Sequence, residues 1–343
     1  MRILHVVHSD AFYGVERYVS TLAVAQAAMG DEVTVIGGNP HAMGRALASG
    51  KVHFADGDSV PALLGSLLRW RHADVIHAHM TDAELAAVSA RTAFSRRSCV
   101  VATRHFAQRR GGSRIGRLAA PLIGAGLDGQ ISISRFVAER IEGDSVVILP
   151  GVPLPETADV EQEPVILVAQ RLEQEKSTHV AVRAFAASGL ARQGWRLRFA
   201  GDGRLRTELQ SLSERLGVSA ATDFLGRRDD VPHLMACSSI LLASAPAEPF
   251  GLTVVEAMAA GLPVVAARAG GHVESLPAEA LTHGFDPEHV DAAAESLRVL
   301  AADKQLRETL AAAGRARHQT LLTPQIQAEK TRGFYTEVME ANL

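Results

Sequence analysis

A chain of 343 residues with 47% apolar and 21% charged side chains has the balance of a soluble globular protein and is too long for one ordinary core. Its two cysteines, Cys99 and Cys237, stand in apolar stretches outside any CxxC or Cys/His cluster, which argues against a disulfide framework or a structural zinc site and fits a reducing compartment. The net charge of -3 points to no partner, but residues 1–150 carry 16 Lys/Arg against 13 Asp/Glu, so the basic surplus sits in the first half.

The opening run Met1 to Val7 is too short for a secretory signal, and no stretch reaches the roughly 18 apolar residues of a membrane span. The expected location is cytoplasmic. Short apolar runs at Ile3–Val7, Val33–Ile36, Val75–His77, Val100–Thr103, Gln130–Ile133 and Val146–Leu149 read as strands. Helices are expected between them at Glu16–Ala28, Ala83–Ala90 and Arg135–Ile141. Continuous Val/Ile runs without alternation suit strands buried on both faces of a parallel sheet.

Pro150 to Pro155, with the acidic stretch running to Pro164, continues neither a helix nor a central strand and reads as a linker. The βα rhythm restarts at Val165–Ala169, Arg196–Ala200, Ile240–Ala243 and Pro263–Ala266, with helices at Leu205–Leu216 and Thr253–Ala260. The expected fold class is α/β, with two Rossmann-like, doubly wound domains facing a central cleft, residues 1–155 and 156–323. An amphipathic helix over 324–343 is expected to pack back on the first domain.

The segment from Glu248 to Val265 carries the most chemistry. Glu248 and Glu256 bracket seven residues on a loop that leads into a helix, one at the mouth and the other about two turns inside. Backbone N–H groups from Phe250 to Thr253 face outward at such a helix start and favour anions, and Gly251 allows close approach. Carboxylates repel phosphate, so their natural partners are hydroxyls. Amides for phosphate beside carboxylates for hydroxyls suit a nucleotide-sugar. The same spacing also suits an ordinary exposed helix start.

The segment resembles the E-x7-E signature of the retaining glycosyltransferases of family 4, which have the GT-B fold. The flanking Glu-Ala-Met-Ala-Ala-Gly-Leu-Pro-Val-Val and Ala269-Gly270-Gly271-His272-Val273-Glu274 are similar to that family too. The resemblance implies that Glu248 meets sugar hydroxyls, Glu256 the ribose hydroxyls, and the amides near Phe250, Gly251 and Leu252 the donor. The donor is expected to be UDP- or GDP-linked, with no further cofactor and no metal.

Upstream, Ala169-Gln170-Arg171-Leu172-Glu173-Gln174-Glu175-Lys176 leaves a buried strand and enters a helix, placing Arg171 and Lys176 at the carboxyl edge of the second sheet. A planar fork and a point charge both suit a diphosphate. In the family such a pair neutralises the leaving group; the family's usual Gly before the Arg is replaced here by Gln170. Taken alone, the pair also reads as solvated charges bridged to Glu173 or Glu175.

Weaker likenesses follow. Tyr13-Gly14-Val15-Glu16-Arg17 resembles the family's Gly-Gly-x-Glu-Arg helix entry with Tyr13 in place of the first Gly, leaving Gly14 to present an amide. His105, after Thr103-Arg104, stands where the family often carries a histidine beside the reacting sugar. Phe224-Leu225-Gly226-Arg227 resembles the segment whose backbone faces the base, which singles out Gly226 and Arg227. Ala200-Gly201-Asp202-Gly203 resembles a family loop but completes no G-x-G-x-x-G fingerprint.

Asp56-Gly57-Asp58 reads as a turn rather than a D-x-D metal motif. His77 and His79 share one strand face, but no third ligand accompanies them in sequence. Eight arginines (91, 96, 97, 104, 109, 110, 114 and 117) crowd a stretch with no acid from Leu85 to Leu127. The bland reading is a solvated surface. The sharper one is contact with an anionic acceptor or a membrane surface, helped by apolar Leu118 to Leu127. Scarce aromatics there argue against nucleic acid. The expected function is metal-independent, retaining transfer of a sugar from a nucleotide-sugar donor to an unidentified, anionic or lipid-linked acceptor. A nucleotide-sugar epimerase or hydrolase of the same fold and a non-catalytic nucleotide-sugar-binding partner stay open as alternatives.

Overall fold

The computed structural model describes residues 1–9, 12–57, 60–70, 72–94, 97–111, 114–155 and 160–342. Among them the first seven strands are β1 (Arg2–Val7), β2 (Glu32–Ile36), β3 (Val52–Ala55), β4 (Val75–His79), β5 (Cys99–Arg104), β6 (Gly129–Ser132) and β7 (Val146–Val147). They pair in parallel in the order β3-β2-β1-β4-β5-β6-β7. Strands β8 (Val165–Ala169), β9 (Arg196–Ala200), β10 (Thr222–Gly226), β11 (Ile240–Ala243) and β12 (Val264–Ala266) form a second parallel sheet, β10-β9-β8-β11-β12. Both are doubly wound: the order runs out one way from β1 or β8, then reverses to β4 or β11. Ligands of such sheets lie at the carboxyl ends of the strands flanking that reversal.

Two strands escaped the sequence reading, β3 and β10, and both are edges. Val52 to Ala55 is half-exposed along its length, as are the three middle residues of Thr222–Gly226. The unbroken apolar runs that marked the other strands belong to strands covered on both faces, as in β4 and β5 where every residue is buried. β7 stops at Val147, and the helix expected over Arg135–Ile141 covers only Arg135–Ala138 behind the cap that the Ser134 hydroxyl gives the Val137 N–H.

The chain divides into two compact units, Met1–Gly151 with Leu322–Leu343, and Val152–Leu321. The helix Pro324–Ala341 therefore belongs to the first unit. It starts on a Thr323 cap with Pro at its first position, and buries Tyr335 and Val338 against Ile3, Val75, Val101 and Ile131. Gly151 tolerates no side chain, because a Cβ there would lie 2.4 Å from the Thr323 carbonyl oxygen. Its N–H donates to Gln327 Oε1 at 2.8 Å. The second unit centres on Phe185, Phe199, Phe285 and the β8, β9 and β11 aliphatics. Among the described residues no helix is long and apolar enough to cross a membrane.

Candidate active site

In the second unit, the loops leaving β8 and β11 bring one set of the expected residues together. The β8 loop, 170–177, is held from two sides. A Cβ on Gly201 would lie 2.0 Å from the Gln170 carbonyl oxygen, and one on Gly203 would lie 2.4 Å from that of Leu172, so glycines let the β9 loop lie against it. The Leu172 N–H donates to the Asp202 carbonyl at 2.9 Å. From the other side Gln170 Nε2 reaches the Lys176 carbonyl at 3.2 Å, Thr178 Oγ1 at 3.3 Å and Ser244 Oγ at 3.2 Å. Gln170, the departure from the family pattern, ties the loop to the end of β11.

That brace sets Lys176 opposite Glu248, Nζ to Oε2 at 2.5 Å, with side chains only 17% and 20% exposed. An ion pair so sheltered is screened less than a surface pair. Glu248 is fixed through its own backbone, since its carbonyl accepts the Gly271 N–H at 2.7 Å. The helix Leu252–Ala260 begins two residues after buried Phe250, with Gly251 at φ 93° as its cap. Val254 and Val255 both donate to the Gly251 carbonyl, at 3.0 and 3.2 Å. Because the helix starts at Leu252, the half-buried Glu256 stands one turn inside it, not two.

His272, absent from the expected site, packs on this turn. A Cβ on Gly251 would come within 2.8 Å of its ring, and burial pushes the imidazole below its ordinary pKa, with the Glu248 carboxylate opposing. Gly251→Ala is expected to lower stability by about 1–2 kcal/mol, the cost of a left-handed L-residue. Urea unfolding measures it, and an unchanged midpoint would mean that the helix start can reshape around His272.

Arg171 is more open. It is 55% exposed and pairs with Glu175, Nη2 to Oε1 at 2.7 Å. Gly226 closes β10 at φ 70° and its carbonyl accepts the Gly201 N–H at 2.8 Å; Arg227 beyond it is exposed.

In the first unit, Gly14 is the first residue of the helix Gly14–Ala28, and Glu16 turns back to accept the Tyr13 N–H at 2.7 Å. His105 follows β5 directly and is buried. The pairing of β1 with β4 sets His5 beside His77, so the histidine pair has a third member that spacing could not supply. His5, His77 and His79 can place a ring nitrogen each within 4.8 Å of one another. Yet every ring nitrogen of the three is already hydrogen-bonded: His5 to Gln26 and His79, His79 to His5 and His105, His77 to Tyr335 and Thr103. Of the D-x-D lookalike, the Asp56 carbonyl accepts the Ser66 hydroxyl at 2.9 Å, while Asp58 lies outside the described residues.

The arginine-rich stretch is not one solvated surface. Arg104 and Arg110 are buried, and both meet Glu84 and Glu142: Arg104 Nη1 and Arg110 Nη1 lie 2.9 and 2.7 Å from Glu142 Oε1, and Arg110 Nε donates to Glu84. Arg91 pairs with Asp128 at 2.5 Å. The stretch lacks acids because its acids bracket it in sequence. Glu142 is pulled below the carboxylate range: burial raises it, and the Arg104 guanidinium together with the Glu142 and Arg110 backbone N–H groups more than offsets that. Arg97 and Arg109 are exposed; Arg96 and the side chains of Arg114 and Arg117 lie outside the described residues.

Comparison with known proteins bears on both units. Residues 155–317 match the family model described as glycosyl transferases group 1, and residues 12–154 match that of glycosyltransferase family 4. The lipopolysaccharide core biosynthesis glycosyltransferase LpsE of Rhizobium meliloti is 31% identical over 193 residues, 55% of this chain and 52% of LpsE. The exopolysaccharide phosphotransferase SCO2592 of Streptomyces coelicolor is 34% identical over 147 residues, 41% of this chain and 15% of that protein. The matched stretches thus span about half or less of these curated relatives. A crystal structure of Anabaena Alr3699/HepE in complex with UDP and glucose shares the fold, with a TM-score of 0.78 over 98% of this chain and 99% of that one at 21% identity.

Proposed function

The chain belongs to the family 4 glycosyltransferases with the GT-B fold, and from that premise we propose that it transfers a sugar, with retention and without a metal, from a nucleotide-sugar to an acceptor. The observation that carries this reading is the sheltered Lys176–Glu248 pair beside the helix start at Gly251, at the reversal point of the second sheet. A cation and helix-terminal amides suit a diphosphate, and two carboxylates suit the hydroxyls on either side of it.

In this reading Lys176 and Arg171 neutralise the diphosphate as the glycosidic bond breaks, and the amides of Gly251 and Leu252 add to them. Phe250 supports that turn from the core. Glu248 binds the sugar hydroxyls and Glu256 the ribose, while the backbone near Gly226 and Arg227 faces the base. Gly14 and His105 take the roles that the family resemblance gives them in the first unit. The HepE complex with UDP and glucose supports a uridine donor as the first to try. Among the described residues, support for an anionic or lipid-linked acceptor, and for work at the cytoplasmic face of a membrane, comes from exposed Arg97, Arg109, Phe106 and Leu122.

Thermal melting without metal, in the presence of UDP, GDP, ADP, TDP and their sugars, tests the donor site. A ligand at 100 times its dissociation constant stabilises by about 2.7 kcal/mol. One nucleotide is expected to raise the melting temperature, with Glu256→Ala weakening the rise. No rise with any of them at saturating concentration would remove the donor-site assignment. Turnover of the donor without any acceptor to an epimeric nucleotide-sugar would replace transfer with epimerisation.

A further inference from the structure

Beneath His105 lies a buried polar network. Gln26 is fully buried although it sits on a helix, which is an unusual place for an amide unless both its ends are satisfied. Its Oε1 lies 2.7 Å from His5 Nε2, and its Nε2 lies 3.4 Å from the Tyr335 hydroxyl. His5 Nδ1 is 3.0 Å from His79 Nε2, and His79 Nδ1 is 3.1 Å from His105 Nε2. On the other branch Tyr335 OH is 2.5 Å from His77 Nδ1, and His77 Nε2 is 2.6 Å from Thr103 Oγ1. Nδ1 of His105 has no hydrogen-bond partner among the described residues.

Each imidazole is held neutral. Burial lowers His5 to about 4 and His105 to about 3, and it drives His77 and His79 well below the ordinary value. A neutral ring donates through one nitrogen and accepts through the other, so a chain of such rings has a direction. The direction is set at the tyrosine. A phenol is a stronger acid than an imidazole N–H, so Tyr335 donates to His77 Nδ1. The phenol has no second proton, and its oxygen therefore accepts from the Gln26 amide nitrogen. That turns the amide oxygen to His5. His5 must then carry its proton on Nε2, His79 must donate to the bare His5 Nδ1, and His105 must donate to the bare His79 Nδ1.

We propose that Gln26 is a positioning residue: it fixes the polarity of the chain His5–His79–His105, so that Nδ1 of His105 is a hydrogen-bond acceptor at the end of β5. A hydroxyl that reaches His105 donates to it. That this hydroxyl belongs to a sugar rests on the glycosyltransferase reading; the tautomer does not. A metal among His5, His77 and His79 is disfavoured by the same geometry, since it would have to displace hydrogen bonds at all three rings.

The test is ring-nitrogen NMR at pH 7 on ligand-free protein carrying 15N-histidine, with peaks assigned by single substitutions. His5, His79 and His105 are expected as single Nε2–H tautomers. In Gln26→Met, His105 is expected as a mixture of both tautomers. In Gln26→Glu, whose carboxylate accepts as the amide oxygen does, the single tautomer is expected to return. Tyr335→Phe, which frees the amide to turn over, is expected to give a mixture as well and serves if Gln26→Met does not fold. An Nδ1–H tautomer at His105 in the wild type, or an unchanged single tautomer in Gln26→Met, would overturn the proposal. So would stoichiometric zinc that shifts all three rings. Nucleotide-induced melting shifts report on the donor site separately, so a failure there leaves this result standing.

Discussion

Acidifying the protein from pH 7 to pH 5 is expected to remove about 4 kcal/mol of stability from the first unit, about 2 kcal/mol each from His5 and His105. Both imidazoles titrate near 6.5 when unfolded, but at about 4 and about 3 when folded, because burial disfavours their charged forms. Between those values the unfolded chain binds more protons. The loss sets in as pH falls through 6.5 and continues until pH reaches about 4 for His5 and about 3 for His105. His77 and His79 shift in the same direction and add to the loss. A loss of this size is a large part of an ordinary domain's stability. Carboxylates such as Glu142, held low in the fold, begin to lose their contribution only below about 4.5. The onset therefore separates the two causes. Urea midpoints that stay constant from pH 7 to pH 5 and fall only below 4.5 would show that the histidines are not excluded from water.

Lys176→Met and Glu248→Gln are each expected to reduce donor turnover by about 100- to 1,000-fold, the scale of removing one charge-stabilising group. The two should differ in binding. Losing Lys176 removes a cation from the diphosphate and should weaken the free nucleoside diphosphate itself. Losing the Glu248 charge should leave that affinity intact and erase only the extra contribution of the sugar. Calorimetry with the diphosphate and with its sugar, for both variants, measures this directly. If Glu248→Gln weakens the bare diphosphate as much as Lys176→Met does, the pair acts as one structural unit, and the separate roles proposed for its members are wrong.

What could be read in advance depended on whether a feature was local. The helix entered at Gly251 and the loop carrying Arg171 and Lys176 are contiguous in sequence, so spacing and the family likeness found them. The strands covered on both faces announced themselves as unbroken apolar runs, whereas β3 and β10, partly exposed over most of their length, did not. His5 could not be joined to His77 without knowing that β1 lies beside β4 in that register. The arginines from 91 to 110 looked unopposed because Glu84, Asp128 and Glu142 lie outside the window that contains them. Gln26 and Tyr335 are 309 positions apart, and no pattern in either helix marks them as partners.

That separation has a consequence for biosynthesis. The first unit is discontinuous: its last helix follows the whole of Val152–Leu321 along the chain. A ribosome therefore delivers every residue of the second unit before it delivers Tyr335. The usual order, in which the amino-terminal domain matures first, is inverted here, because the nascent first unit must wait with a face of its sheet uncovered. During that interval His77 has no phenol to donate to it, and the apolar face of Ile3, Val75 and Val101 is open to solvent and to chaperones.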